Sequence, residues 1–210
     1  MSISEFVKYH EGAIRLGFFF GILVVMALWE LAAPRRGLIV SKVFRWINNF
    51  GIVFLNSFPL RLIFPTAAVG VAVFAQEHRW GLFNYFRLSY WVAVVLSVVA
   101  MDFIIYLQHV MFHAIPVFWR IHRMHHADLD FDVTTGIRFH PIEIMLSMLI
   151  KFAVVVMLGP PVLGVIMFEV ILNATSMFNH GNVRMPLGID RVLRWFIVTP
   201  DMHRVHHSVE

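Results

Sequence analysis

The sequence predicts an all-α, multi-span integral membrane protein of about four to five membrane helices, with a histidine-rich metal-binding cap on the cytosolic side. Three observations predict it: the composition, a series of long apolar stretches, and histidines gathered in short repeated words. Of the 210 residues, 59% are hydrophobic and only 14% are charged, and the mean hydropathy is +0.74. A soluble domain carries about 45–50% apolar and about 25% charged residues. Cysteine is absent, which excludes disulfides, thiolate-bound zinc and iron–sulfur clusters. The pI near 9.9 reads as loop charge on the cytoplasmic side of a membrane, not as a nucleic-acid surface.

A bilayer core needs about 20 apolar residues in a helix. Residues 13–33, AIRLGFFFGILVVMALWELAA, meet that length. They are too long and too aromatic for a cleaved leader, so they are read as a retained anchor. Residues 50–76 contain Pro59, Arg61 and Pro65 and are too short for two crossings, which predicts one kinked span. Residues 87–113 form the third span, and a polar segment follows to about residue 141. Residues 144–180 are broken by Gly159-Pro160-Pro161, which predicts a helical hairpin, either two spans or a re-entrant pair. With loop 34–47 placed in the cytoplasm, segments 114–142 and 180–210 fall on the same side. Those three segments hold eleven Lys and Arg against four on the other side, in accord with the positive-inside rule. The same topology gathers ten of the twelve histidines at one membrane face and leaves only His10 and His78 on the other.

HVMFH places His109 and His113 at i, i+4, on one helical face. HRMHH gives His122, His125 and His126, and HRVHH repeats that spacing with His203, His206 and His207. His180 stands alone in FNHGN. Neutral imidazole is the commonest metal-ligating side chain. Nine of them exceed one zinc sphere of about four ligands and suit two ions. The chain has no Glu-x-x-His, unlike soluble di-iron bundles, and no His-Glu-x-x-His, unlike zinc metalloproteases. A zinc-dependent membrane hydrolase would leave most of the histidines unused, and a metal transporter or sensor would need ligands at mid-membrane and on both faces.

The order of these histidine words resembles the fatty acid hydroxylase/sterol desaturase superfamily, integral-membrane histidine-box di-iron oxygenases. MDFIIYLQHVMFH, TTGIRFHPIE, NHGNV and TPDMHRVHHS are similar to its bacterial sterol desaturase-like branch. The resemblance covers about residue 45 to the end. It divides the chain into a membrane anchor and cytosolic loop (1–45) and a hydroxylase-like domain (46–210). It implies O2-dependent hydroxylation or desaturation of a fatty acyl, sterol or related lipid. It also implies two iron ions, with zinc able to replace them in recombinant protein. Electrons would come from an external donor such as a cytochrome b5-, ferredoxin- or rubredoxin-type protein. The site would face the cytoplasm, at the inner membrane if the source is bacterial. Its ligands would be His109, His113, His122, His125, His126, His203, His206 and His207, with His180 completing the set. Family members usually continue past the last histidine box, so the domain is expected to be truncated at its C-terminus or to close its site with a partner.

His140, in RFHPIE, is open between a metal or substrate role and a loop histidine bonding to backbone ahead of Pro141. Asp102 and Glu169 lie on polar stripes that lead to His109 and His180. They are read either as orienting ligand imidazoles or as bonding helices together. Asn173 shares the Glu169 stripe, and Asp201 is a further candidate for orienting an imidazole. Asp128, Asp130 and Asp132 lack the glycine and glutamate of a calcium loop and read as a solvated acidic loop facing a basic donor.

Overall fold

The computed structural model describes residues 3–64, 67–128 and 130–208. Ten α-helices follow one another among these residues: α1 (Ile3–Ala32), α2 (Lys42–Ile63), α3 (Ala68–Glu77), α4 (Leu82–Tyr85), α5 (Tyr90–Ala114), α6 (Pro116–His126), α7 (Pro141–Leu158), α8 (Val162–Asn179), α9 (Leu187–Leu193) and α10 (Pro200–His206), with a 3-10 turn at Thr135–Ile137. No β-strand occurs among the described residues, and the one bridge pairs Pro34 with Val183. Five segments are long and apolar enough to cross a membrane: Glu5–Ala32, Lys42–Tyr85, Tyr90–Ala114, Pro141–Leu158 and Val162–Asn179.

The kinked span is divided elsewhere than its first proline suggests. Pro59 sits inside α2, and the helix runs on to Ile63. Tolerance of a proline within a membrane helix is ordinary, because neighbouring groups re-satisfy the freed carbonyl. Pro65 lies outside the described residues. The hairpin turns at Gly159, whose φ of +64° ends α7 in the left-handed conformation. A Cβ there would also lie 2.1 Å from Trp80 O, so only glycine fits. Pro160 and Pro161 then lead into α8, where no donor is needed.

α8 is the central helix. α1, α5 and α3 pack around it, burying Val165, Ile166 and Phe168 with Ala68, Ala72 and Met101. Within the apolar layer, Glu169 of α8 lies 3.1 Å from both Lys151 of α7 and Arg15 of α1. These charges are spent on joining three helices.

The α1–α2 loop and the acidic loop are locked together. Arg45 is 4% exposed and donates to Asp128 at 2.9 and 2.7 Å, to Asp132 at 2.5 Å and to Asp130 O at 2.9 Å. Asp130 Oδ2 accepts from the amides of Ile39 and Val40 at 2.8 and 2.7 Å. The acidic loop is therefore buried, not solvated: Asp130 and Asp132 are 1% and 0% exposed. Leu129 lies outside the described residues. Glu30, at the end of α1, accepts from Val133 N at 2.7 Å and Asn182 N at 2.9 Å and pairs with Lys42 at 2.8 Å. One carboxylate thus ties the loops that follow α6 and α8, the first helix ending at His126 and the second capped by His180.

Candidate metal centre

Four elements deliver the imidazoles. His109 and His113 ride the last turns of α5. Pro116 opens α6 after the extended Ile115, and this short helix carries His122, His125 and His126. His180 caps the end of α8. Pro200 opens α10 behind Thr199, presenting His203 and His206, with His207 as its cap. All nine meet in four overlapping groups: His125, His180, His203 and His207; His109, His113 and His206; His113, His122 and His126; His126, His206 and His207. Within each group the ligand atoms lie within 4.8 Å of one another.

Hydrogen bonds from outside the cluster fix which nitrogen faces in. His125 Nδ1 lies 3.1 Å from Arg138 O, and His180 Nδ1 lies 2.6 Å from Ser176 O. A carbonyl oxygen only accepts, so both Nδ1 atoms carry the proton and both Nε2 atoms present a lone pair. Yet His125 Nε2 and His180 Nε2 are 3.0 Å apart, and His203 Nε2 is 2.9 Å from His180 Nε2. Two facing lone pairs repel. Two nitrogens bonded at about 2.1 Å to one cation, at right angles, sit about 3.0 Å apart. Nε2 of His113, His122, His126 and His207 is buried with no hydrogen-bond partner, a cost that a cation would remove. The residues fit a metal.

Aromatic rings wall the cluster: Phe139 stacks on His125 at 4.6 Å, Phe112 on His122 at 5.7 Å, and Trp119 lies 5.1 Å from His113. Gly136 is a close approach, since a Cβ would lie 3.1 Å from His180 Nδ1. Burial, reinforced by neighbouring imidazoles, holds His203 and His126 down to about 2 and His125 well below the ordinary 6.5. These three imidazoles are neutral at physiological pH, as ligation requires. Below pH 6.5 the unfolded chain takes up protons that the folded, metal-free site refuses, so folding stability drops with falling pH. The melting temperature of chelator-treated protein in detergent is expected to be flat above about pH 7 and to fall progressively from about pH 6.5 downward. A flat profile to pH 4 would contradict the cluster's burial.

Among the flanking residues, Glu169 takes the helix-bonding alternative of its sequence reading. Glu169 pairs with Lys151 and Arg15, and Asn173 donates to Glu169 O at 2.8 Å. Asp102 is exposed on α5, and no hydrogen bond links it to an imidazole among the described residues. The physical reason is distance: seven helical residues separate Asp102 from His109 and eleven separate Glu169 from His180, at about 1.5 Å each. Asp201 accepts from Arg35 and Arg204 instead. His140 caps α7, accepting from Ile142 N at 3.2 Å, which is the backbone-bonding alternative.

The carboxylate that does reach an imidazole is Glu143, whose Oε1 lies 2.7 Å from His122 Nδ1, with both side chains buried. Its sequence signal was an acid in the first turn of a membrane helix, three residues past a histidine. Glu143→Gln is expected to lower metal affinity about 10–100-fold while the fold persists. Metal titration in detergent checks this, and unchanged affinity would remove Glu143 from the site.

A family model described as fatty acid hydroxylase matches residues 94–210, more than half of the chain and the whole histidine cluster. The chain belongs to the fatty acid hydroxylase family. Membership accounts for the split histidine words, since the matched region holds every one of them. Among curated relatives, alkylglycerol monooxygenase of Xenopus tropicalis is 26% identical over 167 residues, covering 76% of this chain and 35% of the relative. Ornithine lipid hydroxylase OlsE of Rhizobium tropici is 28% identical over 148 residues, covering 69% and 43%. Human alkylglycerol monooxygenase is 28% identical over 135 residues, covering 61% and 28%. The chain thus spans less than half the length of these relatives. No solved structure matches it. α1 and its Glu30 lie outside the family match, yet Glu30 holds the loops that follow His126 and His180.

Proposed function

We propose that this chain is the membrane-embedded, iron- and O2-dependent part of a lipid hydroxylase, acting at the cytoplasmic surface of the membrane. His125, His180, His203 and His207 are assigned to one ion, and His109, His113, His122, His126 and His206 to the other, following the two ends of the overlapping groups. The observation that carries the reading is the pair of inward lone pairs on His125 and His180, 3.0 Å apart. The relatives' names, a monooxygenase of alkylglycerols and a hydroxylase of ornithine lipids, favour hydroxylation over desaturation and an amphipathic lipid as substrate.

Iron bound there supplies O2 reduction and oxidation of a substrate C–H bond, with two electrons from an external donor of the cytochrome b5, ferredoxin or rubredoxin type. The chain's own residues set the conditions. Glu143, Arg138 O and Ser176 O hold the imidazoles in one tautomer and orientation. Phe112, Trp119, Phe131 and Phe139 keep water from the ring edges. The centre lies at the ends of α5 and α8, where an apolar chain can arrive laterally from the bilayer.

Lipid profiling of a strain expressing the chain, against one expressing the His203→Ala variant, tests the reading. A lipid that gains one oxygen only with the unaltered chain is the expected result. Loss of two hydrogens would move the reaction to desaturation, and identical lipid profiles would refute it.

A further inference from the structure

Beside α10 the molecule holds more positive charge than its fold uses. Arg35 Nε and Arg204 Nη1 both donate to Asp201 Oδ1, at 3.0 and 3.1 Å. The charge of Arg36 bears on the same Arg204 guanidinium. Asp190 also feels the charge of Arg35 while pairing with Arg194, so two carboxylates serve four guanidiniums. Arg204 is not a free surface charge: its side chain is 19% exposed, and its guanidinium carbon lies 5.4 Å from the centre of the Phe131 ring. Its Nε and Nη2 are buried and have no acceptor among the described residues. Arg45 makes the contrast, because each of its three nitrogens finds an acceptor within the fold. A buried charged donor left without an acceptor is costly, and an incoming oxyanion is what a planar guanidinium fork pairs with best.

The unpaired donors lie next to the imidazoles. The Phe131 ring that bears Arg204 also bears on His180 at 5.4 Å, His207 at 5.2 Å and His203 at 6.2 Å. A group bound by Arg204 is thus separated from the cluster by about one aromatic ring. Arg35 and Arg36 are exposed and add long-range attraction at the mouth of the same place.

We propose that Arg204, backed by Arg35 and Arg36, forms a subsite for the anionic headgroup of a lipid, phosphate or carboxylate, and holds the lipid by its head while its chain reaches the imidazole cluster. This rests on reading the cluster as a lipid-oxidising site, and it adds to that reading a preference for charged lipids. The 19% exposure of Arg204 suits a small headgroup better than the flat surface of a protein partner.

The test is binding, not turnover. The iron-loaded full chain in neutral detergent is titrated with phosphatidic acid, a fatty acid, a diacylglycerol with the same acyl chains, and inorganic phosphate alone. Phosphatidic acid or the fatty acid is expected to bind at least about tenfold tighter than diacylglycerol. Arg204→Gln should abolish that preference, and Arg204→Lys should keep part of it. Substitution of the exposed Arg191 by Gln should leave it unchanged. Iron content is measured in each variant, so that loss of the metal site is not mistaken for loss of the subsite. Equal binding of charged and uncharged lipids overturns the proposal, as does a preference that survives Arg204→Gln. Inorganic phosphate binding as tightly as phosphatidic acid would assign the site to a free anion and overturn the headgroup assignment. An effect of Arg204→Gln confined to reduction by an acidic electron-donor protein would make the cluster a protein dock and overturn it too. Because turnover is not read, a chain that selects charged lipids yet oxidises none refutes the proposed activity alone. A chain that oxidises lipids without charge preference refutes the subsite alone.

Discussion

His125→Ala is expected to abolish lipid hydroxylation and to leave about one metal ion per chain instead of two. His125 belongs to only one of the four imidazole groups, with His180, His203 and His207. It is 1% exposed, and its Nε2 faces that of His180 at 3.0 Å. Removing it takes one ligand from that group and leaves His109, His113, His122, His126 and His206 intact. Loss of a group that merely orients a ligand costs about 10–100-fold in affinity or activity, so loss of the ligand itself should exceed the upper end of that range. Metal analysis beside a lipid-product assay checks this. A variant that keeps two ions and its activity would mean that His125 is a packing residue.

Arg45→Met is the second large effect, and it acts on folding. The substitution leaves Asp128 and Asp132 buried without their counter-charge, and strips Asp130 O and Thr135 of a donor. Breaking a buried ionic network by removing one partner costs about 3–5 kcal/mol. For a chain of this size that corresponds to a melting temperature lower by roughly 10 °C. Thermal unfolding in detergent measures it. Adding Asp128→Asn and Asp132→Asn should recover part of the loss, because the uncompensated charges go with them. A melting temperature unchanged by Arg45→Met would show that the acidic loop holds itself.

These two residues mark what was and was not legible in the sequence. His125 was legible because helical spacing is a local property: i, i+3, i+4 fixes a shared face wherever the helix lies. The apolar stretches were legible for the same reason, and Gly159-Pro160-Pro161 announced its turn. Arg45 was not legible, since its partner Asp128 lies 83 residues away. An acidic run looks solvated until the fold sets a guanidinium inside it. Glu30 reaches Val133 and Asn182 across 103 and 152 residues, although a carboxylate in an apolar stretch is itself a warning that something binds it. Asp102 and Glu169 show how far a stripe is informative: it leaves imidazole orientation and helix bonding both open, and Glu169 bonds helices. They lie on the correct stripes, but sharing a stripe does not bring a carboxylate within bonding distance of an imidazole two or three turns away.

The central claim is that nine imidazoles form one two-ion centre. Its most direct test is to load the purified chain with excess ferrous iron under anaerobic conditions, desalt it, and count the iron retained. Two ions per chain is the predicted result, falling to about one in His125→Ala. Retention of one ion or none by the unaltered chain would contradict it.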